Sequence, residues 1–378
     1  MRIVLNAVAA RMGGSTTHLP NFLRAAGRRY PDDLFIACVN RSWRPPALPE
    51  NIRLVRTNDL RGRIAHAAWD QWGVSRIAVR ERADVLVSLL NFGPVRSRIP
   101  HVVFERNPVY FCGYYLRGLR GRRALEVAAT RALAHAVMRG ARRVVTPSAA
   151  MRDMIRAFYP DLPPGRFRVV PHGFGLESFR TGAPLPERGA DAIARSAGIK
   201  LLYVSHAASY KGVEILLEAT RLLRDAGVES TTWLTVAPED WPEGFWRYEA
   251  FIATHRLDGR VRLLGRIPHG AVHLLYEAAD LFVHPSLCES FAFPLVEAMA
   301  SGVPVVAADR PLNREMCGAA AALYPPEDAR ALASEITLLR DDPERRARMI
   351  AEGHAQAQRF SWDEHVDQVM AVVADAIA

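Results

Sequence analysis

Lysine is nearly absent from this chain. Among 49 Lys plus Arg residues only Lys200 and Lys211 are lysines, so elsewhere a basic side chain is an arginine. Lys211 lies in the turn ASYKGV (208–213), just after an apolar run. Two readings stand: a solvated surface residue, or a site that needs a compact ammonium where a guanidinium is too wide and flat. Cysteine is scarce as well. The four, Cys38, Cys112, Cys288 and Cys317, lie far apart with no CxxC spacing. That argues against a disulfide framework or a zinc site and suits a reducing cytoplasm. No apolar run reaches the roughly 18 residues that would read as a membrane span. The N-terminal MRIVLNAVAARMGG is too short in its apolar part for a secretory segment and reads as a first strand and turn. There is no Asp-x-Asp pair to hold a metal, no zinc-finger spacing, no RNP-like aromatic motif and no helix-turn-helix, so nucleic acid is not an expected partner.

What is present is an ordinary globular composition, 49% hydrophobic and 24% charged, over 378 residues. This length suits two domains of roughly 170–200 residues. The net charge of +9 is unevenly spread: residues 1–182 hold 30 Arg against 12 acids, and the remainder 19 basic residues against 28 acids. A first half at +18 beside a second at −9 points toward an anionic partner for the first, or toward a merely solvated arginine-rich surface.

Short β-rich runs alternate with helical stretches: RIVLNAV (2–8), LFIACV (34–39), NIRLVR (51–56), DVLVSLL (84–90), HVVFER (101–106) and RRVVTPS (142–148). Proline and glycine break the pattern between about 160 and 198, and it resumes with KLLYVS (200–205), TTWLTVA (231–237), RVRLLG (260–265), DLFVHPS (280–286) and PVVAAD (304–309). The expected fold class is α/β, with two doubly wound, Rossmann-like parallel-sheet domains facing a cleft. The boundaries read as an N-terminal domain at 1–172, a linker at 173–199, a C-terminal domain at 200–360 and a last helix at 361–378.

The most informative stretch is LFVHPSLCESFAFPLVEAMASGVPVVAAD (281–309). Its strand leads through an irregular loop to Pro294, which suits the first helical position, and Gly302 suits the helix end. Glu289 falls in the loop and Glu297 in the helix's first turn, where the helix N-terminus offers an anion site. Read alone, Glu297 could simply complement the helix dipole and Glu289 be a loop acid.

ESFAFPLVE followed by AMASGVPVV resembles the E-x7-E signature of GT-B glycosyltransferases of the retaining family 4 type. VVTPSAAMRD (144–153), VVPHGF (169–174), VSHAASYKGVEILLEA (204–219), LLGRIP (263–268) and FSW (360–362) fall in that family's order, so the resemblance covers nearly the whole chain. It implies a GT-B fold whose C-terminal helix crosses back to the first domain, a nucleotide-diphosphate-sugar as donor substrate, and neither a cofactor nor a metal. Lys211 matches the lysine that meets the donor diphosphate, and Glu297 the acid that accepts from the ribose hydroxyls. Glu289 matches the position near the donor sugar, with the backbone of Ser290, Phe291 and Ala292 lining sugar and phosphate. Gly265 and Arg266 match the place where main chain meets the base. Gly13 and Gly14 let the first loop approach the phosphates, which a Cβ would hinder.

Three departures stand out. The second cation of the usual clamp is replaced by Ser205 or His206, and His206 reads as a hydrogen-bonding group or as a buried structural one. Ser290 and Ala292 replace the glycines of the sugar loop. The histidine that usually follows the strand matching HVVFERNP (101–108) falls here on Arg106 or Asn107, and Arg106 is the candidate to stabilise the leaving phosphate.

The helix expected at about 122–138 carries Leu125, Ala128, Ala132, Leu133, Ala136 and Val137 on one face, read as packing inward, with arginines 117, 120, 122, 123, 139, 142 and 143 around it. The resulting expectation is a cytoplasmic glycosyltransferase of surface polysaccharide assembly. It would act on a glycan or lipid-linked acceptor and touch the anionic inner face of a membrane through its basic domain. The alternative is a non-catalytic GT-B subunit that binds a nucleotide sugar or glycan.

Overall fold

The computed structural model describes residues 1–10, 14–58, 60 and 62–378, with backbone alone at 14–17 and 63. The chain divides into two units, residues 1–173 with 360–378, and residues 174–359. The first unit holds strands β1 (Arg2–Asn6), β2 (Leu34–Asn40), β3 (Ile52–Thr57), β4 (Val85–Ser88), β5 (His101–Phe104), β6 (Arg143–Thr146) and β7 (Phe167–Val169). They pair in the order β3-β2-β1-β4-β5-β6-β7, all parallel. The second holds β8 (Ile199–Tyr203), β9 (Ser230–Leu234), β10 (Val261–Leu263), β11 (Leu281–His284), β12 (Val305–Ala308) and β13 (Ala321–Tyr324). Their order is β10-β9-β8-β11-β12-β13, again all parallel.

The central strands read as unbroken apolar runs because helices cover both faces of each sheet. In the first unit one core face is built from Ile3, Leu5, Phe35, Val85 and Val87 with Val366, Val369 and Val373 of the last helix, Trp362–Ile377. That helix packs on Gly14–Arg29, and Arg29 grips Asp367 with two hydrogen bonds of 2.7 and 2.6 Å. The pair is partly exposed, so the packed valines hold the helix in place far more than the ions do. The second unit's core gathers Leu201, Tyr203, Leu216, Leu234, Val283, Val306 and Ile336.

Two expectations need correction here. The segment 173–199 is no bare linker. It folds into the short helices Leu176–Phe179 and Glu187–Ala194, buries Phe179 and Ala192, and belongs to the second unit from residue 174 onward. The basic helix spans Gly121–Gly140, yet the face it buries is Ala134, Val137 and Met138. Leu125 is 73% exposed, because the N-terminal half of the helix stands clear of the core.

Each sheet has one topological switch point, between β1 and β4 and between β8 and β11, where connections leave in opposite directions. In open parallel sheets the crevice beyond the strands' carboxyl ends at that point is where ligands bind.

Candidate functional site

The second unit's switch point assembles the predicted donor residues. Lys211 comes from the loop after β8 and Glu289 from the loop after β11. Lys211 Nζ donates to Glu289 Oε1 at 2.6 Å, and both side chains are largely buried. Gly212 makes this possible. Its φ of +70° turns the chain sharply into the helix Val213–Asp225, and a Cβ there would meet the Pro285 carbonyl oxygen at 2.4 Å. The two loops are tied through main chain as well, Leu287 N–H donating to Tyr210 O at 2.9 Å.

Burial alone would raise the Glu289 pKa, but Lys211, with His284 and Ser286, holds it below the ordinary carboxylate value. His284 ends β11 with a nitrogen 3.9 Å from Glu289. Burial pushes its pKa down to about 4, so it stands there neutral. His206, one of the two replacements for the clamp's missing cation, is likewise lowered, first by burial and then by Lys211. Lys211 therefore carries the fixed positive charge of this loop, and His206 offers a neutral ring within 3.4 Å of the Tyr210 hydroxyl.

Glu297 belongs to a second group. It is buried, accepts from the Tyr276 hydroxyl at 3.1 Å and stands 3.5 Å from His269 Nε2. The ion contact with Glu297 raises the His269 pKa against the pull of burial. Ser290 and Phe291 lead to Ala292, which precedes the helix Phe293–Ala300 with φ +59° and ψ +71°. This is the left-handed conformation that glycine adopts freely, and the alanine adopts it at a cost of about 1–2 kcal/mol. Ala292 offers this helix no side-chain cap, Pro294 in its first turn has no N–H to satisfy, and Leu295 N–H donates to Ala292 O at 3.0 Å, so what the helix start offers an anion is the positive end of its dipole. Gly265 also has positive φ, +67°. Arg266 is turned to Asp240, with two hydrogen bonds of 3.1 and 2.5 Å.

The first-unit candidates lie apart from this group in the chain. Gly13 falls outside the described residues, and Gly14 begins the first helix. Arg106 follows β5, its main-chain N–H donating to Asn91 Oδ1 at 2.7 Å and its Nε to His172 Nε2 at 3.1 Å. Burial lowers its pKa to about 10, which leaves it charged at neutral pH. Asn107 caps the turn Pro108–Tyr110 through its side chain.

Sequence reading missed the company Arg106 keeps. His18, His172 and His365 come from three distant segments, and their ring nitrogens lie within 4.8 Å of one another. His365 Nδ1 donates to Pro171 O at 2.6 Å, which leaves its Nε2 as acceptor toward His18 Nε2 at 3.2 Å. The Arg106 guanidinium beside them opposes any further cation. His284, His269 and Tyr276 were also missed; only VHPS beside the signature offered a hint of the first.

The buried histidines set an acid limit on stability. Burial and then Arg106 hold His18 and His172 well below the usual imidazole value, and burial brings His365 to about 4. Unfolded, each titrates near 6.5, so below that pH the unfolded chain binds more protons. The contribution is complete above pH 6.5 and drains away as pH falls toward 4, about 3 kcal/mol for His365 alone. Asp70, raised to about 6 by burial, and Glu105, whose buried carboxyl has no hydrogen-bond partner among the described residues and is raised well above its usual value, act oppositely but are fewer. The urea midpoint is therefore expected to drop between pH 7 and 5. A midpoint that holds or climbs over that range contradicts this account.

Family comparison agrees with the geometry. Residues 12–178 match the model described as Glycosyltransferase Family 4, and residues 192–356 the model described as Glycosyl transferases group 1. The chain is 32% identical over 249 residues to D-inositol 3-phosphate glycosyltransferase 1 of Catenulispora acidiphila, covering 64% of this chain and 59% of the relative. It is 37% identical over 113 residues to O-antigen chain mannosyltransferase B of Escherichia coli, 30% of each chain. The match thus spans about three fifths of the length of the inositol phosphate relatives. Among solved structures, sucrose-phosphate synthase from Thermosynechococcus elongatus superposes with a TM-score of 0.76 at 19% identity, over 99% of this chain and 98% of that one. Anabaena HepE in complex with UDP gives 0.71 at 19% identity, over 99% and 100%. These two share the fold. The two family models, side by side across most of both units, place the chain among the GT-B glycosyltransferases of the family 4 type.

Proposed function

We propose that the chain is a retaining, metal-independent glycosyltransferase. It moves a hexose from a nucleotide-diphosphate-sugar to a hydroxyl of a glycan or lipid-linked acceptor in surface polysaccharide assembly. The observation that carries this reading is the buried Lys211–Glu289 pair at the switch point of the second sheet, with Glu289 in the loop that leads into the helix Phe293–Ala300. Lys211 supplies at the diphosphate the fixed positive charge that a metal supplies elsewhere, and its three N–H donors can serve Glu289 and a phosphate oxygen together. Glu297, braced by Tyr276, suits the ribose hydroxyls, and Glu289 a hydroxyl of the sugar. In the retaining step the bond from the anomeric carbon to the diphosphate breaks as the acceptor oxygen arrives on the same face. The departing phosphate oxygen takes the acceptor's proton. Arg106 is the first unit's candidate for stabilising that oxygen.

Relatives support the parts in different ways. Anabaena HepE is solved with UDP and with UDP-glucose, and the Escherichia coli relative is named for O-antigen mannose transfer. No helix among the described residues is long and apolar enough to cross a membrane. The exposed Leu125 among Arg117, Arg120, Arg122 and Arg123 supports contact with an anionic bilayer surface instead.

The test is calorimetric titration with UDP, GDP, dTDP, ADP and CMP, followed by transfer assays in EDTA with the matching sugar donors. Acceptors would be mannosides, glucosides, D-inositol 3-phosphate and polyprenyl-diphosphate sugars, with the anomer read by NMR. One tight diphosphate and a product of unchanged anomeric configuration are expected. A nucleotide that binds without turnover on any acceptor would leave a non-catalytic subunit instead.

A further inference from the structure

The first unit has a large cavity of its own, about 1220 Å³, and it too lies at a switch point. Asn6 at the end of β1 and Leu90 and Phe92 just after β4 line it, the two strands between which that sheet reverses. Its walls are largely apolar and aromatic, Phe92, Tyr110 and Leu133 among them, and two acids line it: Glu126, which accepts from Arg122 Nε at 2.9 Å, and Asp70, which reaches it from a distinctive piece of backbone. Asp70 sits in the turn Trp69–Gly73, a single π-helical turn between the helices Gly62–Ala68 and Val74–Arg80. Such turns are rare and recur at functional sites, because they re-aim a side chain that a regular helix would point elsewhere.

The hydrogen bonds around Asp70 are directional. Trp69 Nε1 can only donate, and it donates to Asn6 Oδ1 at 3.0 Å. This fixes which end of the Asn6 amide faces the acid, and Asn6 Nδ2 donates to Asp70 Oδ1 at 2.7 Å. Among the described residues no cation pairs with Asp70, and its Oδ2 accepts no hydrogen bond. A half-enclosed carboxylate, held by one oxygen with the other left over, beside aromatic walls is the chemistry that recognises a sugar. The acid accepts from hydroxyls, and the rings cover C–H faces. As a stabilising device it makes little sense, since burial without a counter-charge raises its pKa to about 6 and so works against the fold at neutral pH.

We propose that Asp70 is an acceptor-binding residue, its Oδ2 receiving a hydrogen bond from a hydroxyl of a saccharide or polyol acceptor held in this cavity. The assignment rests on the transferase reading above and adds the residue that selects the acceptor's hydroxyl.

The test is saturation-transfer NMR on the full chain with methyl α-mannopyranoside, methyl α-glucopyranoside and myo-inositol at millimolar concentration, for wild type and Asp70→Asn. Nucleotide diphosphate titrations and thermal unfolding are run beside it. At least one of the three probes is expected to bind the wild type and to weaken tenfold or more in Asp70→Asn. The variant should melt no lower than wild type at pH 8, which separates loss of a ligand contact from loss of structure. Absence of all three signals from the wild type, equal binding by the variant, or a variant that melts lower overturns the assignment. If the probes bind as stated and no nucleotide does, the transferase reading fails while the cavity's role as a hydroxyl-binding site survives.

Discussion

Lys211→Ala is expected to lower sugar transfer by about 100- to 1,000-fold, the usual loss when one preorganised charge is taken from a developing anion. It should also cost stability, because Glu289 would then be a buried carboxylate stripped of the partner 2.6 Å away. Breaking such a pair from one side costs about 3–5 kcal/mol. The two effects separate with a cycle. Glu289→Gln in the Lys211→Met background removes the stranded charge, so the urea midpoint should recover while nucleotide binding stays lost. If Lys211→Ala turns over like wild type, the diphosphate is not held where the sheet's switch point puts it. If the double variant recovers activity along with stability, the lysine serves folding alone.

Gly212→Ala is expected to reach the same site through the backbone. Its positive φ costs any L-residue about 1–2 kcal/mol. Its Cβ would in addition stand 2.4 Å from the Pro285 carbonyl oxygen, main chain that cannot swing aside. Overpacking of this kind adds about 1–3 kcal/mol. Because Pro285 opens the loop that carries Glu289, relief of the clash moves one loop against the other, and nucleotide affinity should fall with the midpoint. Gly227→Ala is the matched control. It shares the left-handed φ, +73°, but its Cβ would meet nothing within 4 Å. It should therefore lose only the conformational part and keep nucleotide binding. Equal losses in the two variants would show that the approach to Pro285 carries no weight.

How much of this was legible depended on whether a residue's role is local. The strand ending at His284, the loop, Pro294 and Gly302 are local features, and their order alone announced the turn that holds Glu289. Lys211 was legible through its rarity and its place after an apolar run. Ala292 could be suspected of standing where glycine is usual, and its φ of +59° shows the backbone kept the conformation despite the Cβ. Other features were hidden. β7 is three residues long inside a proline-rich stretch, and β13 reads AALY, which suits a helix as well as a strand. The inward face expected at Leu125 failed because a helix's apolar stripe names a buried side only where a neighbour covers it. His18, His172 and His365 are each unremarkable in sequence, since their meaning comes from meeting across 347 residues. Asp70 depends on a π-helical turn, which no hydrophobic period announces.

The last helix has a consequence for the order in which the protein can be made. Its valines complete a core whose other walls are the first strands of the chain, yet residues 360–378 follow the whole of the second unit in sequence. A ribosome delivers them only after the second unit, whose own parallel sheet has by then had time to close. Until then the face built by Leu5, Phe35 and Val87 lacks its cover, and the nascent first unit carries that exposed apolar surface as a ready target for chaperones. A premature stop after residue 359 would thus be felt at the opposite end of the chain from where it falls, in the unit made first rather than in the one just finished.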